Sequence, residues 1–194
     1  MTELDPPPVH VVDDDEALRD SLRWLLESAG HRVATYASAE AFLETAAAEH
    51  GGCLLLDIRM PGMSGLELQD ELKRRGHAIP IVFITGHGDV PMAVNAVKKG
   101  ALEFIEKPFN AQALLAMVDH ALDIDAATRR VAARLGRLTK REREVMELVI
   151  AGKRNQDIAA ELSISIKTVE AHRAGMMWKM GVDSLAELVQ LVGK

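Results

Sequence analysis

The 194-residue sequence predicts an α/β fold, a doubly wound five-stranded parallel sheet, followed by a small all-α domain. Three observations carry that expectation. Short apolar runs alternate with helical periodicities as far as Leu122, the pattern of a parallel sheet covered on both faces. Most of these runs end in a polar or charged residue. Beyond Arg137 no strand-like run occurs, and helical segments follow one another with short punctuation between them.

Pro6-Pro7-Pro8 is a stiff lead-in. Val9-His10-Val11-Val12 forms the first strand and ends in Asp13-Asp14. Leu18, Leu22, Leu25, Leu26 and Ala29 then recur at helical spacing, and Gly30 stops that helix. Asp15 and Glu16 belong to its first turn, where the helix dipole favours acids. His31 to Tyr36 gives a second strand, followed by a helix carrying Ala39, Phe42, Leu43 and Ala46. Cys53-Leu54-Leu55-Leu56 ends in Asp57, and the turn-rich Met60-Pro61-Gly62-Met63-Ser64-Gly65 leads to a helix with Leu66, Leu68 and Leu72. Ile81-Val82-Phe83-Ile84 ends in Thr85, ahead of a helix marked by Val90, Val94 and Val97. Phe104-Ile105-Glu106 ends in Lys107-Pro108, ahead of a helix with Leu114, Leu115, Val118 and Leu122.

Ile124 to Arg137 is helical, polar and arginine-bearing, and reads as a linker helix. Thr139 with Glu142 three residues on is a capping box for a helix holding Val145, Leu148 and Val149, which Gly152 terminates. Asn155 caps a short helix with Ile158, Ala159 and Leu162. Ser163-Ile164-Ser165 is a tight turn, a longer helix runs from Ile166 to Met180, and Gly181 ends it. Ser184 to Val192 supplies the last helix. Two helices flanking a short turn are the helix-turn-helix layout. The expected boundaries are a lead-in over 1–8, an α/β domain over 9–122, a linker helix over 123–137 and a helical domain over 138–194.

Charge separates the same regions. Residues 1–125 hold 10 Lys and Arg against 21 Asp and Glu, residues 126–138 hold four Arg and no acid, and residues 139–194 hold nine basic against eight acidic residues. The overall charge of −6 therefore does not argue against nucleic acid, since such contacts are local. Cys53 is the only cysteine, which excludes an intramolecular disulfide and a cysteine-rich metal site, and its place in an apolar run makes it a buried, inert thiol. The opening residues carry neither the basic region nor the apolar core of a signal peptide, and no stretch approaches a membrane span. A soluble, cytoplasmic protein is expected.

In a parallel sheet the polar run-ends share the carboxyl edge, so Asp13, Asp14, Asp57, Thr85 and Lys107 are expected in one pocket. Adjacent carboxylates repel unless a cation lies between them or protons neutralise them, and oxygen ligands without His or Cys favour magnesium. Asp57 could then serve as a ligand and as a nucleophile toward phosphorus, with Lys107 and Thr85 sharing the phosphoryl oxygens. His87 and Asp89 read as solvated loop residues, and the remaining histidines show no metal-ligand spacing.

These residues resemble a response-regulator receiver domain, a flavodoxin-like fold. The likeness rests on Val11-Val12-Asp13-Asp14, Leu56-Asp57-Ile58-Arg59-Met60-Pro61-Gly62-Met63-Ser64-Gly65, Ile84-Thr85-Gly86 and Lys107-Pro108-Phe109, in receiver order and spacing. The resemblance implies that Asp57 accepts a phosphoryl group. It also implies that Asp14, Asp57 and the Arg59 carbonyl ligate Mg2+ with Asp13 acting through water, that Thr85 and Lys107 bind the phosphoryl group, and that the bond before Pro108 is cis. Family members often carry Tyr where this chain has Phe104, so switching through Thr85 and Phe104 would be a packing change without a phenolic hydrogen bond.

Leu138 to Val145 and Ile158 to Arg173 resemble the LuxR/GerE-type DNA-binding domain, and the combination resembles the FixJ-like class of regulators. By that resemblance the helix from Ile166 enters the major groove of double-stranded DNA. Lys167, Thr168 and Arg173 are then phosphate contacts supported by Asn155 and Lys153, and Glu170, Ala171 and Ala174 face base edges. Glu170 could instead pair with Arg173. Val169 and Met176 read as core, Lys179 and Glu187 as solvated, Trp178 as helix-packing. A nearly neutral domain binds DNA weakly alone, so a homodimer formed on phosphorylation is expected, with Leu185, Leu188, Val189 and Val192 offering an apolar face.

The implied protein is a phosphorylation-controlled transcription factor, with a sensor histidine kinase as donor and RNA polymerase as a further contact. It is not an enzyme beyond magnesium-assisted self-phosphorylation and slow self-dephosphorylation. The alternatives are an aspartyl-phosphate phosphatase, whose Asp-x-Asp-x-Thr pattern Asp13-Asp14-Asp15-Glu16-Ala17 lacks, and a phosphate-independent DNA-binding protein. If Arg129, Arg130, Arg134 and Arg137 hold the inactive form against the acidic domain, neutralising them raises DNA binding without phosphate; unchanged binding contradicts that role.

Overall fold

The computed structural model describes residues 6–45, 51–86 and 90–193. Ala46, His87 and Asp89, singled out above, lie outside the described residues. The chain divides into two compact units, the second beginning at Ala127.

The first unit holds β1 (Val9–Val12), β2 (Val33–Tyr36), β3 (Cys53–Asp57), β4 (Ile81–Thr85) and β5 (Glu103–Glu106). They form one sheet in the order β2-β1-β3-β4-β5, every neighbouring pair parallel. The central strands are apolar throughout because both faces are covered, and the alternation of side chains divides each run between two cores. Leu54, Leu56 and Phe83 face the core shared with Phe42, Leu68 and Leu72, while Cys53, Leu55, Val82 and Ile84 face the one shared with Leu22, Leu26, Leu114 and Val118. The covering helices are α1 (Glu16–Ser28) and α5 (Ala111–Gly136) on one side, α2 (Ala39–Glu44), α3 (Gly65–Arg74) and α4 (Val90–Lys98) on the other.

The register brings the functional run-ends level. Val12 pairs with Leu56, Asp57 with Ile84, and Thr85 with Glu106, so Asp13, Asp57, Thr85 and Lys107 leave the sheet at one edge. Two local devices hold that edge. Asp15 caps α1, accepting from the backbone N–H groups of Ala17 and Leu18. Gly65 opens α3 hard against β3, where a Cβ would stand 2.1 Å from the Asp57 carbonyl oxygen.

Helix α5 is continuous to Gly136, whereas the sequence reading separates a helix ending near Leu122 from a linker helix over 123–137. No glycine or proline lies between Ala111 and Leu135, so nothing breaks the backbone ladder. Its buried positions, Leu114, Val118, Ala121 and Asp125, follow one face, and the Asp125 carboxylate accepts the Gly52 N–H at 3.0 Å.

The second unit adds α6 (Lys140–Ile150), α7 (Asn155–Leu162), α8 (Ile166–Met180) and α9 (Leu185–Val192). Val145, Met146, Val149, Ile158, Val169, Met176, Met180 and Leu188 form its core. Thr139 and Glu142 make the expected capping box. Arg154, not Asn155, occupies the cap of α7, and Asn155 is its first helical residue. Ser163 closes α7 in the left-handed region at φ 54°, which turns the chain into α8.

Because the atoms facing a Gly65 methyl are backbone and a packed leucine, Gly65→Ala is expected to cost the first unit about 1–3 kcal/mol. Urea unfolding measures this; wild-type stability in the variant contradicts the close approach.

Candidate functional site

At the carboxyl edge of the sheet, one ammonium joins two carboxylates. Lys107 Nζ donates to Asp57 Oδ1 at 2.8 Å and to Asp13 Oδ2 at 3.2 Å. Each carboxylate is held on its other oxygen by the backbone: Arg59 N–H donates to Asp57 Oδ2 at 2.7 Å, and Asp15 N–H to Asp13 Oδ1 at 2.9 Å. Asp13 is 1 % exposed and Asp57 8 % exposed, so their charges depend on these partners. Lys107 is itself anchored by its N–H, which donates to the Thr85 carbonyl at 2.8 Å, and its bond to Pro108 is cis.

The two partners respond oppositely to burial. Loss of solvent pushes the Asp57 carboxyl above its ordinary range, with a further push from Asp13, and this outweighs the Lys107 ammonium and the Arg59 N–H. Burial also works against the Lys107 charge, but hydrogen bonding and attraction to Asp57 and Asp13 outweigh it and hold the ammonium above its usual value.

The remaining expected residues are placed less simply. Asp14 is exposed, and Asp13, Asp14 and Asp57 do not gather into a three-ligand cluster: no group of three His, Cys, Asp or Glu that could hold a metal is found among the described residues. The space between Asp13 and Asp57 is bridged by the Lys107 ammonium instead. In kind the donors still fit magnesium, being hard oxygens without His or Cys. Thr85 is fully buried and its hydroxyl donates to the Gly86 carbonyl at 2.9 Å. Phe104 stands beside Phe83 in the sheet register and packs, partly buried, on the core under α2, α3 and α4. Cys53 is buried and its thiol is pushed up to about 12 by loss of solvent, consistent with an inert role. Arg19, which carried no sequence signal, donates to the Asp13 carbonyl at 2.7 Å and ties α1 to the loop after β1.

In the second unit, Lys167, Glu170, Ala171 and Ala174 are exposed on α8. Thr168 is engaged at the helix cap, its N–H donating to Ser165 Oγ and its hydroxyl 2.8 Å from the same atom. Arg173 donates to Asn155 Oδ1 at 2.7 Å, so the expected phosphate contact and its support are bonded to each other. Lys153 pairs with Glu161. Lys179, read from sequence as solvated, donates to Glu142 Oε2 at 2.6 Å, and with the Thr139 N–H it brings the Glu142 carboxyl down to about 2. Gly175 makes room for that pair, since a Cβ there would lie 2.8 Å from Glu142 Oε1. Trp178 does not pack between helices: it is 82 % exposed, on the side of α8 opposite Val169, Met176 and Met180. Arg134 donates to the Met180 carbonyl at 2.9 Å, a cation placed at the C-terminus of α8. On α9, Leu188 is buried in its own unit, while Leu185 and Val189 are exposed.

A five-stranded parallel sheet with this charged edge, joined to a helix-turn-helix, defines a response regulator with a DNA-binding output domain, and the chain belongs to that family. The model of the response regulator receiver domain matches residues 9–119, and that of the bacterial regulatory proteins of the luxR family matches residues 136–192. The chain is 47% identical over 191 residues to the transcriptional regulatory protein FixJ of Azorhizobium caulinodans, covering 95% of this chain and 90% of that one. It is 43% identical over 190 residues to the response regulator protein TodT of Pseudomonas putida F1, covering 94% and 84%. Among solved structures, response regulator StyR matches with a TM-score of 0.62 and 49% identity over 97% of this chain and 98% of that one. Full-length FixJ from B. japonicum matches with a TM-score of 0.59 and 45% identity over 96% of each. No helix among the described residues is long and apolar enough to cross a membrane.

A carboxyl with a raised folded-state pKa favours the fold while protonated, and that contribution is lost as pH rises through the raised value. Ionised Asp57 therefore burdens the receiver at neutral pH. Asp57→Asn is expected to raise its melting temperature at pH 7, an advantage that shrinks as the pH is lowered through the carboxyl's range. Thermal unfolding followed by circular dichroism checks it, and an equal or lower value at pH 7 contradicts it.

Proposed function

We propose that Asp57 accepts a phosphoryl group from a sensor histidine kinase, and that this controls binding of the chain to operator DNA. The observation that carries the reading is the Asp57 carboxylate, nearly buried at a sheet edge and held 2.8 Å from the Lys107 ammonium. A carboxylate oxygen of Asp57 would attack phosphorus, the donor's P–N bond would break, and the departing imidazole would take up a proton. Lys107, already bound to Asp57, is placed to follow the new negative charge on the phosphoryl oxygens. Arg59 N–H orients the carboxylate, and Asp13 keeps the ammonium within reach.

Asp14, Asp57 and the Arg59 carbonyl would hold a magnesium ion, with Asp13 acting through water. Such an ion, when bound, would neutralise phosphoryl charge that Lys107 alone cannot. Thr85 would exchange its bond to the Gly86 carbonyl for one to a phosphoryl oxygen, and Phe104 would repack as Thr85 moves. Since Phe104 has no hydroxyl, the change is carried by packing alone. Thr85 and Phe104 together form the switch.

Dimerisation follows as the second step. Lys167 is the exposed cation at the start of α8, while Arg173 and Lys179 are bonded within the domain, so a single copy neutralises few phosphates. Two copies, joined in part through the exposed Leu185 and Val189, would double those contacts and read two half-sites. Once assembled on its operator in the cytoplasm, the dimer would act on RNA polymerase.

Incubating the wild-type chain and Asp57→Asn with magnesium and acetyl phosphate tests the reading. Stable phosphorylation, a larger species in solution and tighter DNA binding are expected for the wild type only. Steady release of phosphate over many turnovers would favour a phosphatase, and DNA binding indifferent to Asp57 would favour a phosphate-independent regulator.

A further inference from the structure

We propose that Trp178 is a contact to the DNA backbone, docking its indole on the sugar-phosphate chain at the edge of the groove that α8 enters. The inference rests on the reading of α8 as the groove-entering helix. One face of α8 is closed by Val169, Met176 and Met180, all fully buried. On the opposite face Lys167, Ala171, Ala174 and Trp178 are exposed, at steps of four, three and four residues that keep them in one line. Trp178 therefore continues the stripe already assigned to DNA.

Position along the helix decides which part of the duplex it meets. The N-terminal residues of a groove-entering helix are the ones that contact base edges, and Trp178 stands 11 residues beyond Lys167, about 16 Å along the helix. With Lys167 to Ala174 in the groove, Trp178 has passed beyond the bases and reaches the flanking backbone. Charge at that end is already spent inside the domain: Lys179 is bonded to Glu142 at 2.6 Å and Arg173 to Asn155 at 2.7 Å. Ala171 and Ala174 have no donor. The indole Nε1–H is thus the donor this end of the stripe offers to a phosphate oxygen, and its ring offers a flat apolar surface to a deoxyribose.

Such a contact is neutral and reads no base. The probes are a short duplex enriched from a random-sequence library by the phosphorylated wild-type chain, and a mixed-sequence duplex of equal length. Trp178→Ala is expected to weaken both about tenfold, the loss of one good hydrogen bond to a charged group, and Trp178→Phe to fall in between. The melting temperature is expected to stay unchanged because the side chain is exposed, and so is the salt dependence of binding, because no charge is removed. In a Trp24→Phe background Trp178 is the only indole, and its emission is expected to change on addition of either duplex.

Wild-type affinity in Trp178→Ala, or emission indifferent to DNA, overturns the proposal. A loss confined to the enriched duplex overturns it in favour of base reading, and loss of self-association without DNA overturns it in favour of a second copy as the occupant. If the wild-type chain binds neither duplex in either phosphorylation state, the reading of α8 fails instead.

Discussion

Two ionised carboxylates can stand at adjacent strand ends, almost out of water, only if a cation stands with them. Here that cation is Lys107, which reaches Asp57 across 50 residues of sequence and Asp13 across 94. Much of the first unit serves this triangle. The parallel register levels the ends of β1, β3, β4 and β5, Gly65 allows α3 to begin against the Asp57 carbonyl, and Arg19 and Asp15 secure the loop after β1. The arrangement is held at a cost, since Asp57 remains harder to ionise than a free aspartate even with its partners in place.

In the second unit the same economy of charge recurs for a different end. Glu142 completes the capping box of α6, pairs with Lys179, and lies against Gly175. Arg134 and Arg173 are likewise bonded to α8's C-terminal carbonyl and to α7. These bonds fix α8 in its domain at the expense of free positive charge on its surface. The outward face consequently depends on one lysine, one glutamate, small side chains and an indole, which places weight on close approach and on pairing of copies in the proposed binding mode.

Much of the architecture was readable from residue order. The five strands lie where the apolar runs stand, with β2 beginning at Val33 inside the expected span; α6 begins at the cap read from Thr139, α8 begins at Ile166 as expected, and Ser165 and Ser184, read as a turn residue and a helix start, are the caps of α8 and α9. These features are local: alternation, helical spacing and capping chemistry act over a few residues and leave their mark there. The strand-end polar residues were legible for the same reason, because each is the first residue its strand cannot bury. What sequence reading misplaced were partners. Lys179 and Trp178 are neighbours on one helix with similar local surroundings, yet one is drawn to Glu142, 37 residues away, and the other is left in solvent.

By itself the sequence determined the class of fold, the succession of an acidic α/β unit and a helical one, and the polar residues at which β1, β3, β4 and β5 end on one sheet edge. Patterning and run-ends suffice for those because burial of apolar side chains is decided by period and length. Only the tertiary structure decided that Lys107 bridges Asp13 and Asp57 while Asp14 faces outward, that Thr85 turns to Gly86, that α5 is one helix rather than two, and that Arg173 and Lys179 are spent within their domain. Most of these outcomes depend on which group of opposite charge or which donor lies within about 3 Å. Such a distance is fixed when distant segments pack, and no spacing along the chain records it.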